Sequence, residues 1–270
     1  MNSLVKSIFF IGLLSCLALA SCKRTEDLVD FTQDEELLLG EKLAELIATS
    51  ENYSIIPQEG NSLAYDYVNS RLNEITSSTS LRKSEDFQWS ITLLDSEERS
   101  AFVTPGGYIY INSALLFFLE NEDQFSGLIA HMVAHVDSSH VLERLFFEFG
   151  VNNLKSITSG NDQEALQSIL SVLDPQGSPI TFSRANEIEA DNHSVTLLTG
   201  SGQSCAGGGL FINRMLTVQP EGQQAFLSVH SGSPTRAEVI NTLAETLGCS
   251  TDVDSQSALR FRTFRNSLPR

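Results

Sequence analysis

The chain has 270 residues, 41% of them apolar and 19% charged, a balance that excludes both a disordered tail and a polytopic membrane protein. Lys plus Arg is 17 and Asp plus Glu is 34, a net charge of −17 that excludes a nucleic-acid binder and simple electrostatic adsorption to anionic lipid. Four cysteines are too few for a disulfide scaffold.

The N-terminus reads as an address. Lys6 supplies a positive start, and 8–20 is an apolar run too short to span a bilayer comfortably. Leu19-Ala20-Ser21-Cys22 resembles the bacterial lipobox. That motif implies removal of 1–21 as a signal peptide and acylation of Cys22; an ordinary signal peptide with an incidental cysteine is the plainer alternative. Lys23 after the cysteine favours, by resemblance to enterobacterial sorting, an outer-membrane lipoprotein facing the periplasm. Residues 22–33 are a polar tether, and 34–270 form the folded domain. Cys205 and Cys249 then either pair in an oxidising compartment or stay as buried thiols.

Helical periodicity predicts helices over 34–50 and 62–76. A short β-rich run at 89–94 precedes 101–111, where Pro105-Gly106-Gly107 marks a turn feeding a strand. Helix is expected over 114–119 and over 123–140, the latter apolar almost all round and therefore buried and central. The 141–180 stretch is helical in patches, a lid or a filler. Further helices are expected over 182–199, over 210–216 after a flexible break at Gly207-Gly208-Gly209, and over 235–247. The fold class is α+β, mostly helical, with one small β-sheet whose edge strand lines the site.

Three features converge on chemistry. His131 and His135 are four apart on the central helix, so both imidazoles face one side and can grip one ion. Two satisfied core histidines would look the same. Glu187 and Asp191 are also four apart: the first can complete a zinc site, and the second can accept the spare N–H of a ligating histidine. A solvated acidic helix start is the alternative there. The strand after Pro105-Gly106-Gly107, if its edge is open, can hold an extended peptide.

SAFVTPGGYIYINSALL, EDQFSGLIAHMVAHVDSSH and SRANEIEAD resemble, in order, the three blocks of the M48 family of zinc metallopeptidases. Leu39-Gly40-Glu41 and VHSGSPTRAEVI are similar to the family's ends. The resemblance implies a peptidase-like domain over 34–270 with one Zn²⁺ on His131, His135 and Glu187. It implies Asp191 behind a ligand and His230 in a loop able to cover the site. It also implies polypeptide substrates or clients and a place in the cell envelope.

One departure stands out. The family motif is His-Glu-x-x-His, and here Met132 occupies the general-base position. A thioether neither takes nor gives a proton at useful pH, and general acid–base help is typically worth about 10²–10⁴-fold. His193, Glu189 or His230 would have to substitute as base. Ser139 stands where relatives often carry a basic residue. His140, five past His135, lies off the metal-facing stripe of a continuous helix and reads as structural. Three functions follow: a zinc-binding but proteolytically impaired lipoprotein that binds unfolded or extended polypeptides in envelope quality control; an active zinc endopeptidase with another base; and a metal-free structural lipoprotein.

Overall fold

The computed structural model describes residues 30–83, 87–177, 179, 181–217, 230 and 234–269. The signal peptide, Cys22 and most of the tether lie outside the described residues. The architecture is α+β and mostly helical with one three-stranded sheet, as the sequence leads one to expect.

Two helices open the described chain, α1 (Gln33–Thr49) and α2 (Ser62–Thr76). A capping box starts α1: the Thr32 hydroxyl accepts from the Glu35 amide while the Glu35 carboxylate accepts from the Thr32 amide. The sheet follows, made of β1 (Ser90–Leu94), β2 (Ala101–Thr104) and β3 (Tyr108–Asn112). Its order is β1-β3-β2, with β1 parallel and β2 antiparallel to β3. The β2–β3 turn is a single 3₁₀ turn, Pro105–Gly107, in which Gly106 and Gly107 take φ of 82° and 97°, values that a side chain would oppose.

Here the structure corrects the reading of 101–111. That segment is a hairpin rather than a turn and one strand, and β3 is the middle strand, paired on both sides. No edge is left on β3 to receive a peptide; the outer strands are β1 and β2. Ile55 already forms a bridge to Leu94 at the outer side of β1.

After the short α3 (Ser113–Phe118) comes α4 (Glu122–Asp137), every residue of which is buried. Asn121 caps it by accepting from the Gln124 amide at 2.9 Å. The helix stops at Asp137, not at 140 as expected. Ser139 adopts a left-handed conformation (φ 61°, ψ 16°), and α5 (His140–Phe149) sets off from it with a new phase. Then α6 (Val151–Ser159) and α7 (Gln163–Leu173) fill the 141–180 stretch.

The remaining helices are α8 (Arg184–Gly200), α9 (Ala206–Leu216), α10 (Pro234–Thr246) and α11 (Ser257–Arg265). Gly207-Gly208-Gly209 is not a flexible break but the first turn of α9, buried against α4. A Cβ on Gly207 would stand 2.1 Å from the Asp123 carbonyl oxygen, and one on Gly127 2.3 Å from the Gly207 carbonyl carbon. The glycines let two helix backbones touch. Cys205 and Cys249 are joined by a disulfide, with Cα atoms 6.0 Å apart, closing the loop that carries α9, His230 and α10. Among the described residues no helix is long and apolar enough to cross a membrane.

Candidate metal centre

Helices α4 and α8 pack against each other at the centre of the molecule, and α10 lies against α8. The 3.6-residue period puts His131 and His135 on the face of α4 that meets α8. Ser183 starts α8 with a hydrogen bond from the Asn186 amide at 3.1 Å, placing Glu187 in the first turn and Asp191 one turn on. His230 arrives from the segment before α10, and Arg236 from α10 itself.

Four side chains meet there. Ligand atoms of His131, His135, Glu187 and His230 all lie within 4.8 Å of one another, and none of the four residues is more than 3% exposed. His131 Nε2 is 3.1 Å from His135 Nε2 and 3.3 Å from His230 Nδ1. Glu187 places Oε2 3.7 Å from His131 Nε2, and Oε1 3.6 Å from His135 Nε2 and 3.0 Å from His230 Nδ1.

Several of these spacings approach those of donors around an ion. Four atoms held about 2.0–2.2 Å from a tetrahedral zinc stand about 3.3–3.6 Å apart. The chemistry agrees. Burial, then the neighbouring His131 and His230, pushes His135 well below its ordinary pKa. Burial drives His230 down to about 4 against the opposing pull of Glu187. Burial raises the Glu187 carboxyl, but His230, His131 and Arg236 together outweigh it and hold the group below its ordinary value. At neutral pH His135 and His230 therefore offer lone pairs from neutral imidazoles and Glu187 an ionised carboxylate, donors of the kind that zinc takes.

Behind the cluster stands a second layer. Asp191 Oδ1 is 3.1 Å from His131 Nδ1, where the carboxylate can accept an N–H, and His131 turns Nε2 toward the cluster. Arg236 donates to both Asp191 oxygens, each at 2.7 Å, and contacts Glu187 Oε2 at 2.8 Å. One guanidinium thus offsets two buried carboxylates. Phe182 covers His135 with ring centroids 3.9 Å apart, and the Arg144 guanidinium lies 4.2 Å from the centre of the Phe182 ring. Sequence reasoning missed Arg236, Phe182 and Arg144. Arg236 sits in VHSGSPTRAEVI and was findable there; Phe182 and Arg144 carry no local signal.

The other candidates lie elsewhere. Met132 is fully buried. His193 is held by Asp137 at 2.6 Å and by Thr196 at 3.0 Å. The Glu189 side chain is 52% exposed and faces His140 at 3.4 Å and Arg82 at 3.9 Å. His140 is not remote from the centre, since its Nδ1 is 3.2 Å from His135 Nδ1.

Comparison with known proteins places the chain. It is 26% identical over 179 residues to the beta-barrel assembly-enhancing protease of Yersinia pestis, covering 63% of this chain and 35% of that protein. It is 27% identical over 120 residues to the mitochondrial metalloendopeptidase OMA1 of Schizosaccharomyces pombe, covering 44% and 34%. The beta-barrel assembly-enhancing protease of Escherichia coli K12 is 26% identical over 133 residues, covering 46% and 27%. The chain spans about a third of the length of these curated relatives. The model of peptidase family M48 matches residues 63–244, well over half of the chain and a span that includes all four residues of the cluster. The chain therefore belongs to peptidase family M48.

Proposed function

We propose that this protein is a zinc-holding member of its family that grips polypeptides without cutting them efficiently. His131, His135 and Glu187 hold the ion, with His230 as a fourth donor and Asp191 and Arg236 behind them. Bound zinc would supply Lewis acidity and lower the pKa of a bound water. The folded domain over 34–270 is tethered through an acylated Cys22 to the envelope, at the outer membrane facing the periplasm. Its clients are unfolded or extended polypeptides, in keeping with relatives named for β-barrel assembly.

One observation carries the reading: the donor set is whole while Met132 stands at the base position. The side chains named above as replacements for the glutamate are engaged. His193 is paired with Asp137, Glu189 points to His140 at the surface, and His230 is itself part of the cluster. General-base help needs an acceptor within roughly 2.6–3.2 Å of the reacting proton.

The test is Met132→Glu in the zinc-loaded chain, assayed on an unfolded outer-membrane protein and on casein with and without chelator. The wild type is expected to leave both substrates intact. The variant is expected to cut them, chelator-sensitively, at least about 10²-fold faster. Chelator-sensitive cleavage by the wild type, abolished by His131→Ala, would favour an active endopeptidase instead.

A further inference from the structure

His135 has a second ring nitrogen, and the structure gives it an unusual partner. On one uninterrupted helix, residue 140 would point about 140° away from residue 135 around the axis. It does not, because the helix breaks. Ser139 is, among the described residues, the one non-glycine with positive φ, a conformation that a residue with a Cβ resists. Its side chain makes no capping hydrogen bond that would explain the turn locally. The consequence is that His140 swings back over the end of α4, and its Nδ1 comes to 3.2 Å from His135 Nδ1. Beyond it, His140 Nε2 faces Glu189 Oε2 at 3.4 Å. His135 and His140 are buried, whereas Glu189 reaches solvent.

Hydrogens placed along this line from the carboxylate inward fix each nitrogen in turn. Glu189 and His140 meet as an electrostatic contact rather than a directed hydrogen bond, and a carboxylate there favours the hydrogen on His140 Nε2. In a His140 ring that carries one proton, Nδ1 is then the acceptor. The hydrogen between the two Nδ1 atoms therefore belongs to His135, and His135 Nε2 is left as a lone pair aimed into the cluster.

We propose that His140 and Glu189 are positioning residues for the metal grip, a two-step relay that locks His135 in its ligating tautomer. His131 gets the same service in one step from Asp191. The strained Ser139 is what delivers the relay. This inference rests on the reading of the cluster as a metal site.

The test compares zinc affinity, by competition with a chromophoric chelator, in the wild-type chain, His140→Leu, His140→Asn and Glu189→Gln. Nitrogen-15 NMR of the metal-free wild type reads which nitrogen of His135 bears the proton. His140→Leu removes the acceptor and is expected to weaken zinc binding about 10–100-fold. His140→Asn keeps an acceptor near the Nδ1 position and is expected to recover most of that loss. Glu189→Gln, at a half-exposed site, is expected to fall between wild type and His140→Leu, and it serves if the leucine variant fails to fold. The proton of His135 is expected on Nδ1. Equal affinity in the wild type, His140→Leu and Glu189→Gln, an equal loss in His140→Asn and His140→Leu, or a proton on Nε2 would overturn the relay. If the wild type takes up no zinc, the metal reading falls by itself. The tautomer then judges the relay alone, Nδ1 supporting it and Nε2 overturning it.

Discussion

Methionine at 132 suits a position with no solvent contact on a helix buried all round, where its flexible apolar chain fills space and its sulfur does no proton chemistry. Arg236 shows the opposite logic. It is buried because two carboxylates are, and its fork matches Asp191 with two charge-assisted hydrogen bonds. A similar pairing holds Glu36 of α1, buried against Lys83 at 2.7 Å. Burial raises the Glu36 carboxyl above its ordinary value, with Lys83 opposing and Asp137 adding to the rise. For an acid raised in the folded state, stability is greatest below the unfolded pKa and declines as pH climbs from there to the folded pKa. Lys83→Met removes the opposing charge and enlarges that decline. Denaturant unfolding at about pH 8 is expected to show a loss of about 3–5 kcal/mol, shrinking at about pH 4 where Glu36 is protonated. A loss equal at both pH values would show that the pair is not what Lys83 contributes.

At the scale of the elements, α4 is the organiser: it meets α8 for the cluster and α9 for support. The α4–α9 contact depends on glycine at both faces. Gly207→Ala would place a methyl 2.1 Å from the Asp123 carbonyl oxygen, so the helices must separate. The expected cost is about 1–3 kcal/mol in unfolding experiments, with weaker zinc retention because α4 moves. An unchanged midpoint would mean that the contact is looser than it looks. This is also where sequence legibility divides. The His131–His135 and Glu187–Asp191 spacings were readable because each lies within one helix, where period alone sets direction. Their meeting across two helices came from the family resemblance. The glycine run looked like a break because glycine disfavours helix in isolation, and tertiary contact overrode that preference. The stop at Asp137 was invisible, since a left-handed serine has no signature in the chain. Strand β2 was missed because four wholly buried residues show no alternation.

For the whole molecule, the net charge of −17 and the position of the cluster set different jobs for surface and centre. The donors sit on α4, on α8 and at His230, so their meeting requires His230 to stay docked. The Cys205–Cys249 disulfide encloses it, spanning 44 positions and including both His230 and Arg236. Closing a loop of that length stabilises by about 4 kcal/mol on chain-entropy grounds. Replacing both cysteines with serine is expected to lower unfolding free energy by roughly that amount. An indifferent stability would show that packing alone holds α10. Zinc stoichiometry decides whether the buried cluster holds an ion. The chain is equilibrated with zinc, freed of excess metal and analysed by elemental mass spectrometry beside His135→Ala. About one zinc per chain is expected in the wild type and little in the variant. A wild type without zinc, or equal zinc in both, would contradict it.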